Sequence, residues 1–287
     1  MMKLSIITIN RDNSEGLRKT MESVFAQTYR DFEYIVVDGN STDDSVDVIK
    51  EYEEQLHLIH STIHFKWISE PDTGIYNAMN KGVKMSHGEY TLMLNSGDYL
   101  VDEHVIERIM PELDGTDIIQ GNNIEERDGA KYRNRGYGKS DINLFDVLKG
   151  YFLHQASFCR RELFERFGYF DENYRSSADT KFFMICLGRH DATFKYVDVD
   201  VTNYDLTGIS ADTSEKWRRC REIELNRIIK EVFSKRIYLF MQENDKKIRL
   251  YDTLYAHKWI WRLTMFVAHL SKLVYGEYPV TVKKESI

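Results

Sequence analysis

Cysteine is scarce: Cys159, Cys186 and Cys220 are the three in 287 residues, an odd number with no C-x-x-C spacing. That excludes a disulfide framework and a zinc ribbon, and the three read as reduced thiols of a cytoplasmic protein. Long apolar runs are missing too. No stretch reaches the roughly 18 apolar residues of a membrane span, and the opening MMKLSIITIN has one lysine and too short an apolar core for an export signal. Neither export nor membrane spanning is expected. Nor is there an excess of positive charge, since 39 Lys+Arg against 46 Asp+Glu leave −7, which argues against nucleic acid as a partner. Two phosphate-binding loops are approached and not completed. Gly138-Lys139-Ser140 would end a P-loop, but the first glycine position is Arg133; Gly136-Tyr137-Gly138 starts a dinucleotide fingerprint, but Asp141 replaces its third glycine and no apolar strand precedes it. The stretch Lys131 to Lys139 (KYRNRGYGK) reads instead as a mobile surface loop.

What is present is an ordinary globular composition, 42% hydrophobic and 30% charged, long enough for one large domain or two intimate ones. Charge is split along the chain. Residues from 214 onward carry 16 basic against 9 acidic side chains, whereas residues 1–213 carry 23 against 37, a net −14. Such asymmetry suits an anionic partner surface, or a basic tail docked on its own acidic body.

Apolar runs and helical periods alternate through the first 113 residues. Lys3 to Asn10 (KLSIITIN) is β-branched and nearly continuous, as in a strand buried on both faces. Leu17, Met21, Val24 and Phe25 then recur at helical spacing behind Ser14 as N-cap. Phe32 to Asp38, Phe65 to Glu70 and Tyr90 to Asn95 read as strands; Ser41 to Gln55, Ile75 to Met85 and Asp102 to Leu113 read as helices. The alternation implies right-handed crossovers and a parallel sheet covered on both faces. Ligands of such sheets lie beyond the carboxyl ends of the strands. There the chain is polar: Thr8 and Asn10, Asp38 and Gly39, Glu70 to Gly74, and Asn95 to Asp98.

Ser5 to Asn10, VVDGNSTDDS (Val36 to Ser45), EPDTGIYNAMNKG (Glu70 to Gly82) and LNSGD (Leu94 to Asp98) together resemble family 2 glycosyltransferases in order and spacing. HQASFCRRELFERFGYFDENY and SSADTKFF, within residues 154–183, resemble the acceptor half of such enzymes. The resemblance implies a GT-A fold: a Rossmann-like, mainly parallel α/β sheet flanked by helices. Residues 1–213 would form it, with a nucleotide-sugar half (1–100) and an acceptor half (101–213), and residues 214–287 a basic helical extension. It implies a nucleoside-diphosphate sugar donor, first among them a UDP-sugar, a divalent cation (Mn2+ or Mg2+), and inversion at the anomeric carbon. The acceptor would be a hydroxyl of a glycan or lipid-linked oligosaccharide in surface polysaccharide biosynthesis. Two alternatives stand beside it: a catalytically silent nucleotide-sugar-binding or assembly subunit, and a sugar nucleotidyltransferase, to which Asn10 to Gly16 (NRDNSEG) is a poor match.

Matched residue by residue, Asp38 is the base-reading aspartate, or else a helper for the helix that follows it. Thr8, Asn10, Glu70, Asp72, Gly74 and Asn95 join it as donor-binding candidates. Asp98 is the cation ligand: the family pattern L-D-x-D-D survives here only in Asp98, with Asn95 and Gly97 at the first two acidic positions. A single carboxylate can still hold such a cation when diphosphate and water complete the shell. Asp179 is the candidate base for the acceptor hydroxyl, or else a helix-dipole acid. His154 and Gln155, opening an apolar strand-like run, are candidates for phosphate or acceptor.

From Tyr255 to Tyr275 tryptophans and cations interleave, and residues 260, 263, 267, 270 and 274 keep helical spacing. The stripe fits packing on the body, another subunit, or an anionic membrane surface. The expected location is cytoplasmic, with peripheral attachment to the inner face of the cell membrane in the last case. Nothing in the sequence fixes an oligomeric state.

Overall fold

The computed structural model describes residues 2–58, 62–127, 129–208 and 212–240. The chain divides into two compact units, Met1–Phe233 and Ser234–Ile287. The stripe at 255–275 lies outside the described residues.

In chain order the first unit contains β1 (Leu4–Asn10), α1 (Ser14–Phe25), β2 (Glu33–Asp38), α2 (Ser45–Leu58), β3 (His64–Ser69), α3 (Ile75–Met85), β4 (Tyr90–Met93), β5 (Tyr99–Leu100) and α4 (Val105–Ile109). There follow β6 (Ile118–Arg127), β7 (Ala130–Asn134), α5 (Leu144–Lys149), β8 (Ser157–Arg160), α6 (Glu162–Phe167), α7 (Ala178–Phe183), β9 (Phe194–Tyr204) and α8 (Glu215–Val232). One sheet runs β3-β2-β1-β4-β8-β6-β9-β5, with β7 paired to β6. The side β3-β2-β1-β4 is parallel, as alternation of strand and helix requires. Beyond β4 the sheet is mixed: β8 runs antiparallel to β4 and β6, and β6 parallel to β9.

β1 and β2 are buried at every position. Leu17, Met21 and Val24 of α1 pack into the same core as Leu4, Ile6, Tyr34 and Val36. Burying such a side chain contributes roughly 1.5–3 kcal/mol, so this half is held chiefly by apolar packing across the parallel strands.

Local chemistry moves several expected boundaries. α1 is capped by Asn13 rather than Ser14, because the Asn13 Oδ1 accepts from Gly16 N at 3.1 Å. α2 starts at Ser45, four residues later than expected, since Ser41 is occupied by Asp38. The helix expected over 102–113 is one turn, α4, that tightens into a 3₁₀ turn at Met110–Glu112 around Pro111. The surface loop expected from Lys131 is a strand at first: residues 130–134 are β7, and Arg133 ion-pairs with Asp198 and Asp200 of β9. His154 and Gln155 form a 3₁₀ turn before β8, not the start of a strand, because buried Gln120 accepts from Leu153 N at 3.2 Å and curls the chain there.

The segment before α7 is clasped by α8. Glu224, nearly buried, accepts from Arg175 N at 2.6 Å and Ser176 N at 3.1 Å, and Glu231 bonds Tyr174 and Lys181. Among the described residues no helix is long and apolar enough to cross a membrane.

Candidate active site

A cleft of about 380 Å3 opens at the carboxyl ends of the parallel strands, lined by Ile9, Asn10, Arg11, Asn13, Asp72, Gly74, Ile75, Ala78, Asn95, Ser96, Asp98, His154, Tyr204, Asp205 and Gly208. Six of the candidate residues are thus brought together: Asn10, Asp72, Gly74, Asn95, Asp98 and His154. Thr8, Asp38, Glu70, Gln155 and Asp179 stand behind or beside the wall and shape it.

Thr8 is a core residue, donating to Leu94 O at 2.7 Å and meeting Tyr34 Oη at 3.0 Å, which ties β1 to β2 and β4. Asp38 is fully buried at the end of β2. It accepts from Asn10 Nδ2 at 3.0 Å, Ser41 N at 2.9 Å, Ser41 Oγ at 2.5 Å and Ser69 Oγ at 2.7 Å. Burial alone would raise its pKa, but these donors outweigh it and hold the carboxyl below its ordinary value. Asp38 therefore welds the ends of β1, β2 and β3 together.

Glu70 and Asp72 are pinned by one cation. Lys81 of α3 reaches Glu70 at 2.9 Å, Asp72 at 2.7 Å and Pro71 O at 2.9 Å. Gly39 is small because Asp72 Oδ2 sits where its Cβ would be. Gly74, at φ +153°, opens α3 with its first turn against the cleft. Gln155 is buried beneath the wall.

The turn from Asn95 to Asp98 is built on Thr20 of α1, whose Oγ1 donates to Asp98 O at 2.6 Å and accepts from Gly97 N at 3.0 Å. Asp98 is 3% exposed, and among the described residues its carboxylate has one hydrogen-bond donor, Asp205 N at 2.8 Å. Burial pushes its pKa up to about 7; that donor and the charge of His154 oppose the rise, and the charge of Asp205 adds to it. Gly97, at φ +103°, admits only glycine on two counts. Its backbone lies in the left-handed region, and a Cβ there would collide with Asp205 Oδ2. The Asp205 carboxylate thus lies beside position 97.

Two carboxylates lining a cleft are hard oxygen donors, suited to Mg2+ or Mn2+ if diphosphate and water supply the remaining ligands. Among the described residues no group of three or more His, Cys, Asp or Glu is placed to hold a metal on its own.

Asp179, in the first turn of α7, has both oxygens engaged: Tyr76 Oη donates to Oδ1 at 3.0 Å, and His154 Nδ1 lies 3.1 Å from Oδ2. Burial would raise its pKa, but the bond and charge of His154 and the bond from Tyr76 bring it below its ordinary value. His154 lines the cleft and meets Asp179 through Nδ1. Its Nε2 is 3.4 Å from Asn95 Nδ2, and although burial would lower its pKa, Asp179 and the charge of Asp98 raise it.

Sequence reasoning missed Asp205, Tyr76, Arg11 and Asn13. Arg11 and Asn13 follow β1 directly. Asp205 directly follows β9, so searching the residue after each strand finds it once that strand is recognised.

A Rossmann-like sheet with its cleft at the strand ends, an acidic turn after β4 and a mixed second half is the architecture of a GT-A glycosyltransferase. The chain belongs to glycosyl transferase family 2, matching the family over residues 5–170, and it is an enzyme of that kind rather than a nucleotidyltransferase. It is 30% identical over 215 residues to a PGL/p-HBAD biosynthesis glycosyltransferase of Mycobacterium bovis, covering 73% of this chain and 79% of that one. An uncharacterized glycosyltransferase of Mycobacterium tuberculosis is 30% identical over 213 residues, covering 72% and 77%. Among solved structures, S. aureus TarS residues 1–349 in complex with UDP superposes with a TM-score of 0.60 at 18% identity, over 79% of this chain and 64% of that one. The mannosyltransferase PcManGT of Pyrobaculum calidifontis, in complex with GDP-Man and Mn2+, gives 0.61 at 16% identity, over 96% and 76%.

Proposed function

We infer that the protein transfers one sugar, with inversion, from a nucleoside-diphosphate sugar in this cleft to a hydroxyl of a glycan or lipid-linked oligosaccharide, as in surface polysaccharide assembly. The observation that carries this is the pair Asp98 and Asp205. Asp98 is a buried carboxylate with a raised pKa, no cationic side chain bonded to it among the described residues, and a second carboxylate beside it at the mouth of a donor-sized cleft.

The nucleoside lies against Asn10, Arg11, Asn13 and Asp72, with Asp38 fixing Asn10 and Lys81 fixing Asp72. The diphosphate lies between the first turn of α3, whose dipole favours an anion, and Asp98 with Asp205. Those two carboxylates would hold a divalent cation, which when bound neutralises the charge that develops on the leaving diphosphate. The acceptor proton passes to the Asp179–His154 pair at the opposite wall. A UDP-sugar is the first donor to test, since one structural neighbour is a UDP complex and another is a GDP-Man complex with Mn2+. For a lipid-linked acceptor, residues 255–275 supply tryptophans and cations suited to an anionic membrane; retention of the full chain on anionic liposomes checks that docking.

Incubation with UDP-, GDP-, dTDP- and CMP-sugars and Mn2+ tests the function. Release of one nucleoside diphosphate, lost in Asp98→Asn, is the expected result. Release that is unchanged in Asp98→Asn overturns the assignment of that residue.

A further inference from the structure

α7 is six residues long, Ala178–Phe183, and runs straight into a π-helical turn, Met184–Arg189. A helix this short is not stable by itself, and its N-cap residue, Ser177, makes no side-chain cap bond. The hold comes from α8. The Glu224 carboxylate, 9% exposed, accepts from Arg175 N at 2.6 Å through one oxygen and from Ser176 N at 3.1 Å through the other. Glu231 accepts from Lys181 Nζ at 2.6 Å on the other side of Asp179. We propose that Glu224 is a positioning residue for glycosyl transfer: it sets where Asp179 stands by fixing the chain that enters α7.

This rests on the glycosyl-transfer reading, with Asp179 of the Asp179–His154 pair taking the acceptor proton. α8 lies beyond residues 5–170, which match the family, yet within the same compact unit, Met1–Phe233.

Three observations single out Glu224. Burying a carboxylate is costly unless its bonds offset the lost hydration, and here they go to two N–H groups that precede Ser177, which no carbonyl of α7 can satisfy. The grip is a fork on consecutive amides, so it fixes the direction of the chain as well as its place. The gripping helix is itself anchored: Ile228, Ile229 and Val232 are buried, and Arg189 of the π turn donates to the Val232 carbonyl at 2.8 Å and to that of Glu231.

α7 and its π turn are thus tied to α8 before Asp179, just after it, and at the far end. Asp179 in turn meets Tyr76 of α3 and His154 at the cleft. A base must stand within hydrogen-bond reach of the hydroxyl it serves, and misplacement by about 1 Å costs about 10²-fold. The donor side is separate, since no residue of α8 lines the cleft.

The test follows release of nucleoside diphosphate to water by the full chain, with saturating Mn2+ and a saturating donor, whichever of the UDP-, GDP-, dTDP- and CMP-sugars binds. Glu224→Ala should lower release by about 10- to 10²-fold. It should leave donor affinity, read by calorimetry, within about threefold, which also reports that the variant is folded. Glu224→Gln, which keeps the volume and one acceptor oxygen, should fall between it and wild type, and carries the test if the alanine variant does not fold. Asp179→Asn should lower release by about 10²- to 10⁴-fold. Adding either Glu224 change to Asp179→Asn should lower release by less than about threefold more, as for residues acting as a unit. An equal further loss in both backgrounds would make Glu224 a support of the fold alone, and wild-type release in both Glu224 variants would give it no role; each overturns the proposal. So does a fall in donor affinity that accounts for the lost release. Unchanged release in Asp179→Asn removes the base through which Glu224 acts, and if no sugar nucleotide binds the wild type, the transfer reading itself fails.

Discussion

Asp38 and Asp98 both sit at the carboxyl ends of parallel strands, both almost wholly buried, and they are held in opposite ways. Asp38 has four donors and stays ionised below the usual carboxylate range. Asp98 has one backbone donor, and burial lifts it to about 7. Desolvation costs both; only Asp38 recovers the cost within the protein. The first is satisfied by the protein's own donors. The second is left under-satisfied where a cation and a diphosphate would complete it, the usual signature of a functional carboxylate.

Substitution should separate the two sharply. Asp98→Asn removes the proposed cation ligand, so turnover should fall by roughly 10³-fold, while the metal-free protein should become no less stable, or gain stability, in thermal melts. Asp38→Asn should do the reverse at first: it leaves buried donors facing an amide and costs about 2–4 kcal/mol of stability, measurable by urea denaturation. An Asp98→Asn variant that melts well below wild type would break the comparison.

The pH dependence carries the same contrast. The folded pKa of Asp98 lies above its unfolded value, so in the metal-free protein the folded form binds the extra proton between about pH 4 and 7. Its contribution to stability therefore declines as pH rises through that window, by a few kcal/mol at most. Asp38 contributes stability above its unfolded value that is lost as pH falls through its depressed folded value. Melting curves from pH 3 to 8 should show the decline between 4 and 7 flattened in Asp98→Asn and retained in Asp38→Asn.

Gly97→Ala should cost about 1–3 kcal/mol through backbone strain and, by displacing Asp205, weaken Mn2+-dependent nucleotide binding, read by calorimetry. The smallest effect concerns the α1 cap: Asn13→Ala should cost about 1 kcal/mol and Ser14→Ala close to nothing.

The same division runs through what could be read in advance. β1 to β4 with α1 and α3 are legible because each is a local pattern: a continuous apolar run or a helical period. Their ends supply Asn10, Asp72, Gly74, Asn95 and Asp98, all of which line the cleft. The misreadings in this half are of hydrogen-bond partners. Ser14 and Asn13 are both good caps, and only the geometry decides between them. Asp38 reads as a base contact or as a helper for the helix that follows it, and of its four donors two come from Ser41 in the loop after β2 and two from the ends of β1 and β3.

The acceptor half resists because its determinants are far apart in sequence. His154 turns where it does because Gln120 captures Leu153 N. Asp205 reaches Asp98 across 107 residues, from the end of a strand, β9, whose weakly alternating FKYVDVDVTNY gives little periodic signal. Asp179 meets His154 across 25 residues of sequence, and no motif encodes that contact.

The most direct test of the account is calorimetric titration of the full chain with UDP-, GDP-, dTDP- and CMP-sugars, with and without Mn2+, in wild type and Asp98→Asn. One nucleotide class should bind, more tightly with Mn2+, and the gain from Mn2+ should fall by about 10-fold or more in Asp98→Asn. Failure of every donor to bind, with or without the cation, would contradict it.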